Sequence, residues 1–61
     1  MMNVKKFHFV GIGGAGMSAL AKILIESGHE ISGSDRADSA TVQMLKNLGA
    51  TVFIGHSADN I

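Results

Sequence analysis

One cluster of glycines constrains the fold of this chain more than any other feature. Residues Gly11 to Gly16 read Gly-Ile-Gly-Gly-Ala-Gly and satisfy the G-x-G-x-x-G pattern. Before them, Lys6 to Val10 form a short aromatic and β-branched run that is typical of a buried strand. After them, apolar residues at i, i+3, i+4 and i+7 predict an amphipathic helix that buries Met17, Leu20, Ala21 and Leu24. The chain should therefore run from a strand through a glycine-rich turn into a helix.

A second strand and a second helix follow. Gly28 is a suitable end for the first helix, and the run from Glu30 to Ser34 predicts the second strand. Either Asp38 or Ser39 can cap the second helix, whose apolar stripe consists of Val42, Leu45 and Leu48.

A third strand completes the pattern. Gly49 ends the second helix, and Ala50 to Ile54 are strongly β-prone. The order β-α-β-α-β predicts an α/β fold, namely a Rossmann-like half-unit with a three-stranded parallel sheet and right-handed crossovers.

Residues 1–61 are expected to form only part of a doubly wound domain, because nothing apolar follows to cover the third strand. In such a domain the first strand is central, and a strand from later in the chain pairs with its second edge. We therefore expect an unpaired edge along His8 to Val10, through which an isolated chain would associate with itself.

Composition narrows the possible functions. Five basic and five acidic side chains cancel, and the basic ones are dispersed, so we expect no nucleic-acid partner. No apolar stretch approaches the roughly 18 residues that a membrane span needs. The chain has no cysteine, and its three histidines lack the spacing of metal ligands, so we predict no metal site. These features fit a cytoplasmic protein that holds any anion mainly with backbone N–H groups.

The glycine-rich turn is predicted to hold a pyrophosphate. Gly11 would permit the tight turn, Gly13 would leave room for the phosphates, and Gly16 would let the helix pack closely on the sheet. Gly14 would add clearance, and the positive end of the helix dipole would face the anion. The alternative is that these glycines only make a tight connection between a strand and a helix.

Three polar residues follow the second and third strands, at the edge where open α/β folds bind ligands. Asp35 could contact a ribose or a base, or it could be a solvated turn aspartate. Arg36 could contact a phosphate or a base, or remain solvated, and His56 could approach a nucleotide or be a turn histidine. The sequence contains no catalytic constellation and no G-x-x-x-x-G-K-[ST] loop for ATP, so we predict no catalytic residue.

Three segments together resemble the amino-terminal domain of the Mur ligases. They are His8-Phe-Val-Gly-Ile-Gly-Gly-Ala-Gly-Met-Ser18, Ser32-Gly-Ser-Asp35 and Phe53-Ile-Gly-His56, and the resemblance covers essentially the whole chain. It implies an ATP-dependent ligase of peptidoglycan synthesis in the bacterial cytoplasm. The pattern is most similar to the branch of the family that joins L-alanine to UDP-N-acetylmuramate.

The resemblance also implies roles for individual residues. Gly13, Gly14, Ala15 and Gly16 would bind the diphosphate beside Gly11, while the uridine environment would comprise Ser34, Asp35, Arg36 and His56. ATP and magnesium would bind a later domain, so this segment alone should be inactive. The residues by themselves leave two alternatives open: an NAD(P)-binding domain of an oxidoreductase and a non-enzymatic nucleotide-sensing module.

Overall fold

The computed structural model describes residues 3–55 and contains the predicted elements in the predicted order. These elements are β1 (Lys6–Val10), α1 (Ala15–Glu26), β2 (Glu30–Asp35), α2 (Ala40–Leu48) and β3 (Thr51–Ile54). The observed boundaries differ little from the predicted ones: β2 includes Asp35, and β3 begins at Thr51.

The three strands form one parallel sheet in the order β1-β2-β3. Strand β2 is central, and its Ser34 is in register with Val10 on one side and with Phe53 on the other. The α/β class and the three-stranded parallel half-unit predicted from the sequence are therefore confirmed.

Both helices cover the same face of this sheet. Phe9 and Ile31 from the strands join Ala21 of α1 and Leu45 of α2 in one buried cluster, together with Ile12 and Ala50. Because side chains alternate along a strand, the residues between those core positions point to the opposite face.

That opposite face is polar over much of its area. The Lys6 ammonium lies 3.7 Å from the Glu30 carboxylate, and both side chains are exposed. The next pair in register, His8 and Ser32, is joined by a 2.9 Å hydrogen bond between Nδ1 and Oγ. Within residues 3–55, no helix packs on this side of the sheet.

Helix α2 begins and ends where the sequence predicts. The Val42 amide donates to the Ser39 hydroxyl oxygen over 3.2 Å, so Ser39 is the N-cap residue. The helix ends at Gly49, and Val42 and Leu45 are fully buried. Leu48, the third member of the predicted stripe, is instead exposed.

The apolar stripe predicted for α1 is confirmed at Ala21 and Leu24 and wrong at Met17 and Leu20. Met17 and Leu20 are 39% and 48% exposed, whereas the buried positions are Ser18 and Ala21, with Leu24 and Ile25 half-buried. Within residues 3–55, α1 packs mainly on α2 and β2, so the side of the helix that carries Met17 and Leu20 has no layer to contact. None of the helices described is long and apolar enough to cross a bilayer.

Candidate functional site

The carboxyl end of β2 holds the connections that follow both neighbouring strands. The Ser34 carbonyl accepts hydrogen bonds from the amides of Gly11 at 2.8 Å and Ile12 at 3.1 Å. The Asp35 carbonyl accepts one from the Gly55 amide at 2.7 Å. The glycine-rich turn after β1 and the turn after β3 are thus both attached to the last two residues of β2.

The side chain of Asp35 faces the glycine-rich turn. Its Oδ2 accepts a hydrogen bond from the Gly13 amide at 2.7 Å, and its Oδ1 accepts one from the Ala37 amide at 3.2 Å. A side chain on Gly13 would place its Cβ 2.8 Å from that Oδ2 and 3.0 Å from Cγ2 of Val42. Glycine at position 13 therefore makes room for the Asp35 carboxylate and for α2.

Helix α1 begins directly behind this turn, and no side chain among residues 3–55 caps it. Gly14 is the N-cap residue, and the first helical hydrogen bond runs from the Ser18 amide to the Gly14 carbonyl at 2.7 Å. The amides of Ala15, Gly16 and Met17 therefore precede the intrahelical bonding pattern, and these residues are exposed. The first turn contains no acidic side chain, so nothing on this helix offsets the positive end of its dipole.

The packing role predicted for Gly16 is wrong. A Cβ at this position would meet no atom within 4 Å, because Gly16 lies on the outward side of α1. Gly16 therefore borders open space at the amino terminus of the helix.

The close approach occurs instead at Gly33, in the middle of β2, which the sequence reasoning missed. A Cβ there would lie 2.6 Å from the Phe9 carbonyl oxygen and 2.8 Å from Cδ1 of Ile12. The available signal was a glycine inside an otherwise regular strand, which often marks a close approach of another chain segment. Gly33 allows Ile12 to cross over β2 and to anchor the glycine-rich turn in the core.

The other residues predicted for the uridine environment differ in burial and in contact with the turn. Ser34 is only 4% exposed and lies at the carboxyl end of β2, with its carbonyl bound to the turn. Arg36 is exposed in the following loop, and within residues 3–55 it makes no ion pair. His56 lies outside the described residues. The structure thus brings Gly11, Gly13, Ser34 and Asp35 into one hydrogen-bonded cluster and leaves Arg36 at its border.

The site consists mainly of backbone amides and carbonyls together with the Asp35 carboxylate. Among the residues described, no group of three or more His, Cys, Asp or Glu side chains could hold a metal ion. The sequence contains no ATP-binding loop of the G-x-x-x-x-G-K-[ST] type. ATP and magnesium, which the family resemblance implies, therefore do not fit the groups present here.

Comparison with known proteins gives consistent matches over nearly the whole chain. Residues 6–61 match the family described as "Mur ligase family, catalytic domain". Similar proteins include the UDP-N-acetylmuramate–L-alanine ligases of Sulfurihydrogenibium sp., 52% identical over 95% of the chain, and Hydrogenobaculum sp., 54% identical over 93%. The ligase of the same name from Agrobacterium fabrum is 57% identical over 88% of the chain. The chain spans only 12–13% of the length of these relatives.

Proposed function

Because the chain belongs to the Mur ligase family, we propose that it is the part of a UDP-N-acetylmuramate–L-alanine ligase that holds the UDP moiety of the substrate. The observation that carries this proposal is the uncapped, exposed amino terminus of α1 behind the glycine-rich turn. Backbone amides and a helix dipole at such a position form a site for a phosphate group.

The substrate would lie across the carboxyl edge of the sheet. The diphosphate would bind beside Gly11, Gly13, Gly14, Ala15 and Gly16. The uridine would lie toward Ser34, Asp35, Arg36 and His56. Hydrogen bonding at the end of β2 supports this division. Asp35, the last residue of β2, binds the Gly13 amide of the turn, whereas the uncapped amides of α1 follow Gly14.

The chemical step belongs to parts of the ligase that this chain does not contain. The proposed reaction joins L-alanine to UDP-N-acetylmuramate at the expense of ATP, with magnesium, in the bacterial cytoplasm. This segment would position a substrate, and we expect it to have no ligase activity alone.

Calorimetric titration of the full-length ligase that carries this segment tests the proposal. We expect binding of UDP-N-acetylmuramate and no measurable binding of NAD or NADP. A nicotinamide-dependent oxidoreductase would show the reverse preference, since its glycine-rich turn uses the same pyrophosphate contacts and its acidic residue binds the adenosine ribose. Binding of a nucleotide that changes the assembly state without turnover would instead indicate a sensing module.

We also propose that the isolated 61-residue chain associates with itself along β1. Strand β1 lies at one edge of the described sheet, and its Val10 side chain is 61% exposed. Unpaired edge strands with apolar side chains recruit other strands, and a charge on the edge opposes this.

Sedimentation of the isolated chain at increasing concentration is therefore expected to show a rising mass, and Val10→Lys should shift the chain toward monomer. Leu48→Lys, which places the same charge at an exposed position of α2, is the matched control and should leave the association unchanged. If the wild-type chain keeps the mass of a monomer at all concentrations, the proposal is contradicted.

A further inference from the structure

The carboxylate of Asp35 is committed to the backbone on both of its oxygens. Oδ2 accepts the Gly13 amide at 2.7 Å, and Oδ1 accepts the Ala37 amide at 3.2 Å. The first amide belongs to the connection after β1, and the second belongs to the connection that leads into α2. Hydrogen bonds to an ionised acceptor are about twice as strong as neutral ones. One side chain therefore ties together two loops that are distant in sequence.

The space around Gly13 shows how closely these parts are packed. The position of a Cβ on Gly13 is 2.8 Å from the Asp35 carboxylate and 3.0 Å from Val42, whose own amide is held by Ser39. The glycine-rich turn, the carboxylate and the first turn of α2 thus form a single contact group. A displacement of the carboxylate would free the Gly13 amide and alter the shape of the turn.

The same contact divides the amides of the turn into two sets. The Gly13 amide already has an anionic acceptor, and a second negative group at that position would be repelled. The first turn of α1 contains no acidic side chain, and in the described part of the chain no side chain caps the amides of Ala15, Gly16 and Met17. A diphosphate would accordingly take its hydrogen bonds from the helix amides, and Gly13 would lie beside it with its amide held by Asp35.

We infer that Asp35 is a positioning residue, which holds the glycine-rich turn in its binding shape through the Gly13 amide and thereby directs the diphosphate to the first-turn amides of α1. This inference rests on the proposed function for the identity of the ligand. The contact between Asp35 and Gly13 can be tested without any ligand.

Hydrogen exchange in the ligand-free full-length protein tests the contact itself. Asp35→Ala should speed exchange in the peptide that contains Gly13 by about 10- to 100-fold, which is the effect of losing a hydrogen bond to a charged group. Asp35→Asn retains an oxygen acceptor and should exchange more slowly than Asp35→Ala. Asp38→Ala is the matched control, because it removes an exposed carboxylate from the same loop. Within residues 3–55 that carboxylate accepts a 2.6 Å hydrogen bond from the Gln43 side chain and none from the glycine-rich turn. It should leave the turn unchanged.

Steady-state kinetics then separate positioning from simple loss of folded enzyme. Asp35→Ala is expected to raise KM for UDP-N-acetylmuramate by about tenfold with little change in kcat, because a binding interaction shared by ground and transition states has been lost. Unfolding of part of the enzyme would lower the apparent kcat and leave KM unchanged. Asp35→Asn, which keeps one of the two oxygen acceptors, should raise KM less than Asp35→Ala does.

Two results would overturn the inference. One is unaltered exchange of the Gly13 peptide in Asp35→Ala. The other is a raised KM in Asp35→Asn equal to that in Asp35→Ala, which would assign the effect to the charge of the carboxylate rather than to its hold on the turn. If the wild-type protein binds no UDP-N-acetylmuramate, the proposed function fails, while the exchange comparison still decides whether Asp35 holds the turn.

Discussion

Gly33→Ala is expected to lower the free energy of unfolding by about 1–3 kcal/mol, the usual cost of forcing an extra carbon into a packed core. The added Cβ would lie 2.6 Å from the Phe9 carbonyl oxygen and 2.9 Å from Cβ of Ile12. The first of these atoms belongs to the backbone of β1, which cannot move without disturbing its pairing with β2. Stability on the order of 0.05–0.15 kcal/mol per residue makes such a loss a large fraction of the total for a chain of this size. Urea unfolding followed by circular dichroism measures the change.

Gly16→Ala is the matched control for this substitution. It makes the same chemical change at a glycine whose Cβ would meet nothing within 4 Å. Because alanine is favoured over glycine in a helix by about 1 kcal/mol, we expect this variant to be at least as stable as the wild type. Equal free energies of unfolding for the Gly33 and Gly16 variants would show that the close approach at Gly33 leaves room for a Cβ, which would contradict the prediction.

Ile12→Ala is expected to cost about 2–5 kcal/mol of unfolding free energy, as large-to-small substitutions in a closed core usually do. Ile12 is fully buried although it lies inside the glycine-rich turn, where it packs over Gly33. Its side chain is the apolar anchor that fixes the turn to the core. Thermal unfolding of the variant measures the loss, and UDP-N-acetylmuramate affinity measured below the transition should fall as well, because the turn is no longer anchored.

Ile23→Ala serves as the control. Ile23 is 58% exposed on α1, so its truncation should lower the free energy of unfolding by less than about 1 kcal/mol.

The double variant Gly33→Ala with Ile12→Ala adds a sharper test. Removal of the Ile12 Cδ1 atom relieves the 2.8 Å contact with the new Cβ, although the contacts with the Phe9 carbonyl oxygen and with the Cβ of residue 12 remain. The combined loss should therefore be smaller than the sum of the two single losses. Strict additivity would contradict direct packing of Ile12 on Gly33.

Much of the architecture could be predicted because its causes are local. The aromatic and β-branched run before Gly11 and the hydroxyl of Ser39 before α2 act within a few residues of the structure they determine. Glycines mark the ends of both helices and of the first strand for the same reason. Alternation of strands with helices then leaves few topologies, and a parallel sheet is the simplest of them.

The candidate site could be predicted only in part. Carboxyl ends of parallel strands meet at one edge, so the proximity of Asp35 to the glycine-rich turn followed from the order of the elements. The hydrogen-bond partner of the Asp35 carboxylate could not be predicted, because the sequence does not show that Oδ2 reaches the Gly13 amide.

The chain by itself determined where its strands and helices lie and that a glycine-rich turn joins β1 to α1. Only the tertiary structure decided which glycine permits close packing, Gly33 rather than Gly16, and which residue of α1 is buried beside Ala21, Ser18 rather than Met17 or Leu20. The physical reason is the same in each case. Local propensity acts between neighbours along the chain. The clearance at Gly33 depends on Phe9 and Ile12, more than 20 residues away, and the buried side of α1 depends on its packing against β2 and α2.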